Sequence, residues 1–349
     1  MKLLKTANNN SHNMGNQEKN NIYQSRLIEQ IQQKLPLHQS IIDVLSELLN
    51  ISSDSVYRRI RGDKTMTFEE VALLSSHFSI SLDEILQRSD ANHLKCTYIP
   101  LDLSKKGVYH SYMEALANKM ENLRLSFDKE IFFSAVDIPF YHFLPYKELT
   151  FFKLFSWNNS VYGFNGGYDD FVNQLEHKEA ILACYDKLIN SYKRIPSKEI
   201  WTEGTIDTFL RLLNYHFEIG HFTNKETPLK LCEQLLNMIN KLNEWSEKGI
   251  KGESGESFKL YISEIDLENS YILLKSKNRT GCILKLFTIN SMEIIDERFC
   301  METEKWLNSL AKRATLVSET SEKERYKFFN SQRQKIGVLV DKINNYDLF

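Results

Sequence analysis

Long apolar runs are missing from this 349-residue chain. Nowhere do about 18 apolar residues follow one another, the length a membrane-crossing helix needs. The opening stretch, MKLLKTANNNSHNMGNQEKN, turns polar after two leucines and so lacks the apolar centre of a secretion signal. A cytoplasmic protein is expected. Cysteine is sparse and scattered: the five residues Cys96, Cys184, Cys232, Cys282 and Cys300 include no CxxC pair. An odd number at such spacings argues against a disulfide framework or a zinc knuckle, and the thiols are expected to be reduced. Only 13 glycines occur, with no GxGxxG, GxxxxGK[ST] or GxSxG among them. A phosphate-cradling loop or a nucleophile elbow therefore has no sequence basis, and no cofactor, metal or catalytic constellation is expected. Neither sign of charge dominates, since 44 Lys and Arg against 46 Asp and Glu leave a net charge of −2. Binding to nucleic acid would have to rest on a local cluster.

The chain is 42% apolar and 26% charged, and at roughly 100 to 200 residues per domain it should form two domains. Residues 1–20, rich in Asn, Lys and Gln without periodicity, read as a disordered leader. Residues 21–90 carry five short helical patterns: SRLIEQIQQKL, SIIDVLSELLN, SSDSVYRRIRG, TFEEVALLSSHF and SLDEILQ. Ser40 with Asp43, Thr67 with Glu70, and Ser81 with Glu84 stand where a capping side chain and its answering acid belong. Residues 91–107 lack periodicity, contain Pro100 and read as a linker. A second domain then covers 108–349.

Leu45 to Leu86, LSELLNISSDSVYRRIRGDKTMTFEEVALLSSHFSISLDEIL, resembles the helix-turn-helix of the lambda-repressor and Cro family. Leu45 and Leu49 match apolar positions of the first helix, and Asn50 stands where the family often has Gly. Ile51-Ser52 takes the usual Val-Ser, Val56 the buried position of the second helix, and Arg61-Gly62 the Arg-Gly that ends it. SISLDEIL matches the closing helix. Physically, the turn needs a residue that tolerates a left-handed backbone, as Asn does, and Ser52 is placed to cap the second helix. At 100° per residue Val56 and Ile60 fall on one side, with Asp54, Arg58 and Arg61 on the other and Ser55 and Tyr57 on the flanks. In such motifs the start of the second helix reads base edges while nearby cations hold phosphates. Ser53, Asp54, Ser55, Tyr57 and Arg58 are the candidate readers, and Arg59, Arg61 and Lys64 the candidate phosphate contacts. LLNISSDSVYRRIRG with a long aromatic-rich domain behind it also resembles helix-turn-helix regulators of Bacteroidetes-type bacteria. Against a strong electrostatic footprint, Asn21 to Asp90 hold seven basic and ten acidic residues, although four of the basic ones lie between 58 and 64.

The second domain is expected to start with a helix at YHSYMEALANKMENLRLSF. Residues 131–165 come next and carry 12 of the chain's 41 Phe, Tyr and Trp residues. That stretch fits either a packed core or an apolar effector pocket with Tyr141, His142 and Trp157 as polar handles. Further helices are expected near 170–192, 205–219, 228–248, 301–313 and 319–344. FKLYISEIDLENSYILLKSKNRTGCILKLFTINSMEIID, starting at Phe258, suggests two or three antiparallel strands. His216 and His221 in HFEIGH lie five residues apart, not the four of a zinc-protease helix, a spacing that puts the imidazoles on different faces. Ile336, Leu339, Val340 and Ile343 form a stripe that suits either a dimer seam or docking within the domain.

The expected fold is mainly α, α+β overall: an N-terminal five-helix helix-turn-helix bundle plus a larger helical domain with a small antiparallel sheet. The expected partners are double-stranded DNA, a second copy of the chain, and a small-molecule or protein effector. The runner-up is a protein-interaction module that does not bind DNA.

Overall fold

Apolar residues three and four apart on each short N-terminal segment share one face, and burial of that face builds the first part of the molecule. The computed structural model describes residues 22–35, 39–86, 94, 96–99, 101–103, 105–252, 255–277, 279–286 and 290–346; the expected leader lies outside them. The chain divides between residues 93 and 94 into two compact units. In the first, α1 covers residues 22–34, and after it come α2 (Ile41–Leu49), α3 (Ser53–Ile60), α4 (Phe68–His77) and α5 (Leu82–Leu86). Leu27, Ile28 and Ile31 of α1 meet Leu45, Val56, Leu74 and Ile85 in one buried cluster. The expected five-helix bundle is matched loosely, because α5 is only five residues long.

Thr67 and Glu70 form the expected capping box, with Glu70 N–H donating to Thr67 Oγ1 at 3.3 Å and Thr67 N–H to Glu70 Oε2 at 3.1 Å. Ser40 does not cap: its backbone is extended, but its side chain makes no bond to the first turn of α2. The Glu84 side chain lies outside the described residues. Two basic side chains of α1 are spent inside the unit. Lys34 donates to the carbonyls of Phe78 and Ser79 at 2.9 and 2.7 Å, closing the end of α4, and Arg26 donates to the Ile85 carbonyl at 3.3 Å.

The second unit is mainly helical around a nine-stranded mixed sheet, not the small antiparallel one expected. Its elements are β1 (Cys96–Ile99), α6 (Val108–Leu125), β2 (Glu130–Ser134), α7 (Phe140–Phe143), α8 (Lys147–Tyr162), α9 (Tyr168–Gln174), α10 (Lys178–Lys193) and β3 (Ser197–Thr202). After these come α11 (Asp207–Glu218), α12 (Glu226–Lys248), β4 (Ile250–Lys251), β5 (Glu256–Ser263), β6 (Tyr271–Ser276), β7 (Arg279–Lys285), β8 (Ser291–Ile294), α13 (Glu297–Arg313), β9 (Thr315–Leu316) and α14 (Glu322–Asn345). The strand order is β1-β8-β7-β6-β2-β3-β5-β4, with β9 also on β5.

β2, β3 and β5 are parallel and joined by helical crossovers, while β6, β7, β8 and β1 continue the sheet as an antiparallel wing. β1 lies inside the stretch expected to be a linker. Strand alternation sorts side chains between two faces. Ile131, Phe133, Trp201 and Leu274 face the main helical core, whereas Phe132, Ile200, Leu273 and Cys282 face the smaller core that holds Cys300 and Leu307 of α13. The Ile336, Leu339 and Ile343 stripe of α14 is buried in the main core, so it is docked within its own unit.

Candidate nucleic-acid interface

Asn50 closes α2 in the left-handed conformation its position requires, with φ 51° and ψ 50°. Its N–H and that of Ile51 return to the carbonyls of Glu47 and Ser46 at 3.3 and 3.1 Å, satisfying the last turn of α2. The chain extends at Ser52, whose hydroxyl accepts from Ser55 N–H at 3.4 Å and caps α3. Ser55 Oγ lies 3.0 Å from Ser52 Oγ, which makes Ser55 part of the cap as well as half-buried. Val56 is fully buried and Ile60 half-buried. Ser53, Asp54, Tyr57, Arg58, Arg61 and Lys64 are exposed, and Tyr57 leaves 47% of its surface to solvent.

Arg59 departs from expectation. It is 3% exposed, and its guanidinium makes a two-pronged pair with Glu70, Nε to Oε2 at 2.9 Å and Nη2 to Oε1 at 2.5 Å. Nη1 donates to the Ser55 carbonyl at 3.1 Å. A guanidinium so enclosed is not available to a phosphate, and Arg59 leaves the set of candidate contacts. Hydrogen bonds from Arg59 hold the Glu70 carboxyl below its ordinary pKa against the opposing effect of burial. Glu70 thus joins the capping box of α4 to the inner face of α3.

Gln24 of α1, which no local pattern singles out, fixes the exit from α3. Its amide donates to the carbonyls of Arg59 and Lys64 at 2.6 and 3.0 Å, and its Oε1 accepts from Met66 N–H at 2.8 Å. The loop that carries Arg61 and Lys64 is therefore anchored from beneath. Arg61 makes an exposed ion pair with Asp63 at 3.1 Å, a contact weak enough to exchange for a phosphate. Phe68, the first residue of α4, is 72% exposed. It stands in the helical turn that Glu70 ties to α3.

The second unit does not offer Tyr141, His142 and Trp157 as pocket handles. All three are buried in the main core, where His142 Nε2 donates to Glu199 at 2.9 and 3.0 Å. Glu199 also accepts from Trp201 Nε1 at 2.8 Å and from the Tyr192 hydroxyl. Beside them Lys251, wholly buried, donates to Ser197 Oγ at 2.8 Å with Nζ 3.4 Å from the centre of the Tyr192 ring. The cluster is enclosed, and it pins helices to the sheet.

His216 and His221 also differ from expectation. α11 ends at Glu218, and Gly220 at φ 77° turns the chain back, so the two rings stack with Nδ1 atoms 2.8 Å apart. His216 Nε2 lies 3.0 Å from Ser156 Oγ. Among the described residues no group of three or more His, Cys, Asp or Glu is placed to hold a metal.

Burial first, and His221 second, lower the His216 pKa from 6.5 to about 4. The unfolded chain then binds the proton more readily than the folded one. The stability this residue contributes is complete above about pH 6.5 and is lost as the pH falls toward 4, amounting to roughly 3 kcal/mol. Every tryptophan, at 157, 201, 245 and 306, lies in the second unit, so urea unfolding monitored by tryptophan fluorescence reads that unit. Between pH 7 and pH 5 the wild type should lose more stability than His216→Gln; equal losses would remove the proposed origin.

No family model matches the chain, and neither a curated protein nor a solved structure matches it. Among the described residues no helix is long and apolar enough to cross a membrane.

Proposed function

We propose that the chain is a sequence-specific DNA-binding transcription regulator of bacterial type, cytoplasmic, with α3 entering the major groove. The observation that carries this function is the pairing of a left-handed Asn50 turn and a Ser52-capped α3 that buries Val56 while exposing Tyr57 and Arg58. Ser53, Asp54, Tyr57 and Arg58 stand on the side that reads bases, with Arg61 and Lys64 for phosphates. A helix-turn-helix reader commonly works as a dimer on two half-sites, and a homodimer is part of the proposal. The α14 stripe is occupied internally, which leaves the dimer contact to another surface. The larger unit is left the role of effector or dimerisation domain.

The test is capture of genomic fragments by the purified chain at two salt concentrations, with Arg58→Ala alongside. A recovered palindromic site should lose roughly tenfold in affinity with the substitution, within the 1–3 kcal/mol that a bidentate contact to guanine supplies, and should weaken with salt. With Arg59 spent internally the cationic set is smaller than the RRIR run suggests, which favours the second reading, a protein-interaction module. Absence of any enriched site at the lower salt would move the assignment there.

A further inference from the structure

The second unit has an open cleft of about 390 Å³ where α6 begins, remote in sequence from the helix-turn-helix and distinct from the enclosed cluster around His142. That volume falls in the range of small-molecule sites. One side is apolar. The ring of Phe171, the side chains of Ile181 and Leu175, and the half-buried Phe164 line it. Two tyrosines contribute rings with their hydroxyls already engaged: Tyr109 lies 2.6 Å from the Tyr185 hydroxyl, and Tyr162 donates to the Leu101 carbonyl at 2.6 Å. Behind Tyr162, the buried indole of Trp157 packs edge-on at 5.6 Å with its N–H unpaired.

The other side carries basic side chains. His110 and His177 face each other with ring centres 5.6 Å apart, flanked by Lys105 and Lys106. Among the described lining residues Glu176 is the one carboxylate. Its ion pair with Lys106, at 3.0 Å, and that of Lys105 with Asp102, at 3.7 Å, involve largely exposed ammonium groups. Ion pairs so exposed contribute little to stability, so the lysines can turn to a ligand at little cost. The first turn of α6, which carries His110, has neither a side-chain cap nor an acidic residue, and its dipole adds to the same sign of potential.

We propose that this cleft binds a small aromatic acid, with its ring against Tyr162, Phe164 and Phe171 and its carboxylate between His110, His177 and Lys106. The site belongs to the second unit alone and stands or falls independently of DNA binding.

Phenylacetate is the probe, titrated calorimetrically into the full-length chain, with phenylacetamide and acetate as controls for the charge and the ring. Phenylacetate should saturate with a dissociation constant of about 1 mM or tighter, and each control should bind at least about tenfold more weakly. The pair His110→Leu with His177→Asn should weaken phenylacetate by about tenfold. Asn is chosen because residue 177 has φ 57° and tolerates that backbone. Lys106→Gln, at an exposed position, should weaken binding severalfold without altering the unliganded melting temperature. Equal binding of phenylacetamide, an unchanged constant in both variants, or no saturation by about 10 mM would each overturn the proposal.

Discussion

Glu199→Ala is expected to cost the C-terminal unit about 5 kcal/mol or more. The carboxylate stands at the centre of a fully buried set of donors, His142 Nε2, Trp201 Nε1 and the Tyr192 hydroxyl, with the buried Lys251 side chain near enough to interact with it electrostatically. Burial works to raise its pKa, yet the charge of His142 and the hydrogen bonds from His142 and Tyr192 outweigh it and hold Glu199 ionised below the ordinary carboxylate range. Lys251 is in the opposite position, because burial drives its pKa well down and the attraction of Glu199 only partly restores it. Removing one partner of a buried pair costs roughly 3–5 kcal/mol. Each buried donor left without an acceptor adds about 1–3 kcal/mol, not strictly additively. Since a domain holds only about 5–15 kcal/mol in total, most of the unit's stability should go. Glu199→Gln should cost less, because one acceptor oxygen remains, although its amide N–H₂ meets groups that themselves donate. Urea unfolding read by tryptophan fluorescence separates the outcomes. A midpoint for Glu199→Ala close to wild type would show that the cluster contributes little to the fold.

That cluster illustrates which parts of the molecule were legible in the sequence. The α2–turn–α3 segment and the start of α4 were readable because their signals are local: Asn50 for a left-handed turn, Ser52 for a cap, Thr67 with Glu70 for a capping box. Each depends on a few neighbouring residues, and each is present. Ser40 shows the limit, since its residue type and extended backbone permit a cap and its side chain makes none. Arg59 was legible in principle. It lies three residues after Val56 and so shares the buried face of α3, but the basic run around it suggested solvent.

The sheet was harder. β2 (EIFFS) and β3 (SKEIWT) are interior parallel strands covered on both faces, so they show no clean polar–apolar alternation, and the aromatic stretch around β2 reads equally as helix core. Of the antiparallel wing, β6, β7 and β8 were visible from their turn residues, whereas β1 fell in the expected linker and β5, expected to be antiparallel as well, pairs parallel with β3. The wing's pairing to β2 is a long-range contact that no local pattern encodes. His216 and His221 fall on different faces only if HFEIGH is one helix. Gly220 ends the helical geometry before His221, and the rings meet.

The second large effect tests the correction at Arg59 together with the proposed function. Glu70→Ala is expected to unfold the N-terminal unit in large part. It leaves a guanidinium whose side chain is 4% exposed without its partner, at roughly 3–5 kcal/mol, and removes the acid of a capping box worth about 1 kcal/mol more. The described part of the unit runs only from residue 22 to 86, and small domains have little stability in reserve. Far-UV circular dichroism should show lost helix while tryptophan fluorescence, confined to the other unit, stays unchanged.

Arg59→Met combined with Glu70→Gln should recover most of the loss, because the buried guanidinium and its half-buried partner charge go together and Gln still serves the capping box. That double variant also separates a structural role for Arg59 from a phosphate-contacting one. If Arg59 only holds α3 to α4, the double variant should bind the recovered DNA site with wild-type salt dependence, whereas Arg61→Ala or Lys64→Ala should each lower the salt slope by about one. A slope lowered equally in the folded double variant would return Arg59 to the phosphate-contacting set and show that the Glu70 pair opens on DNA.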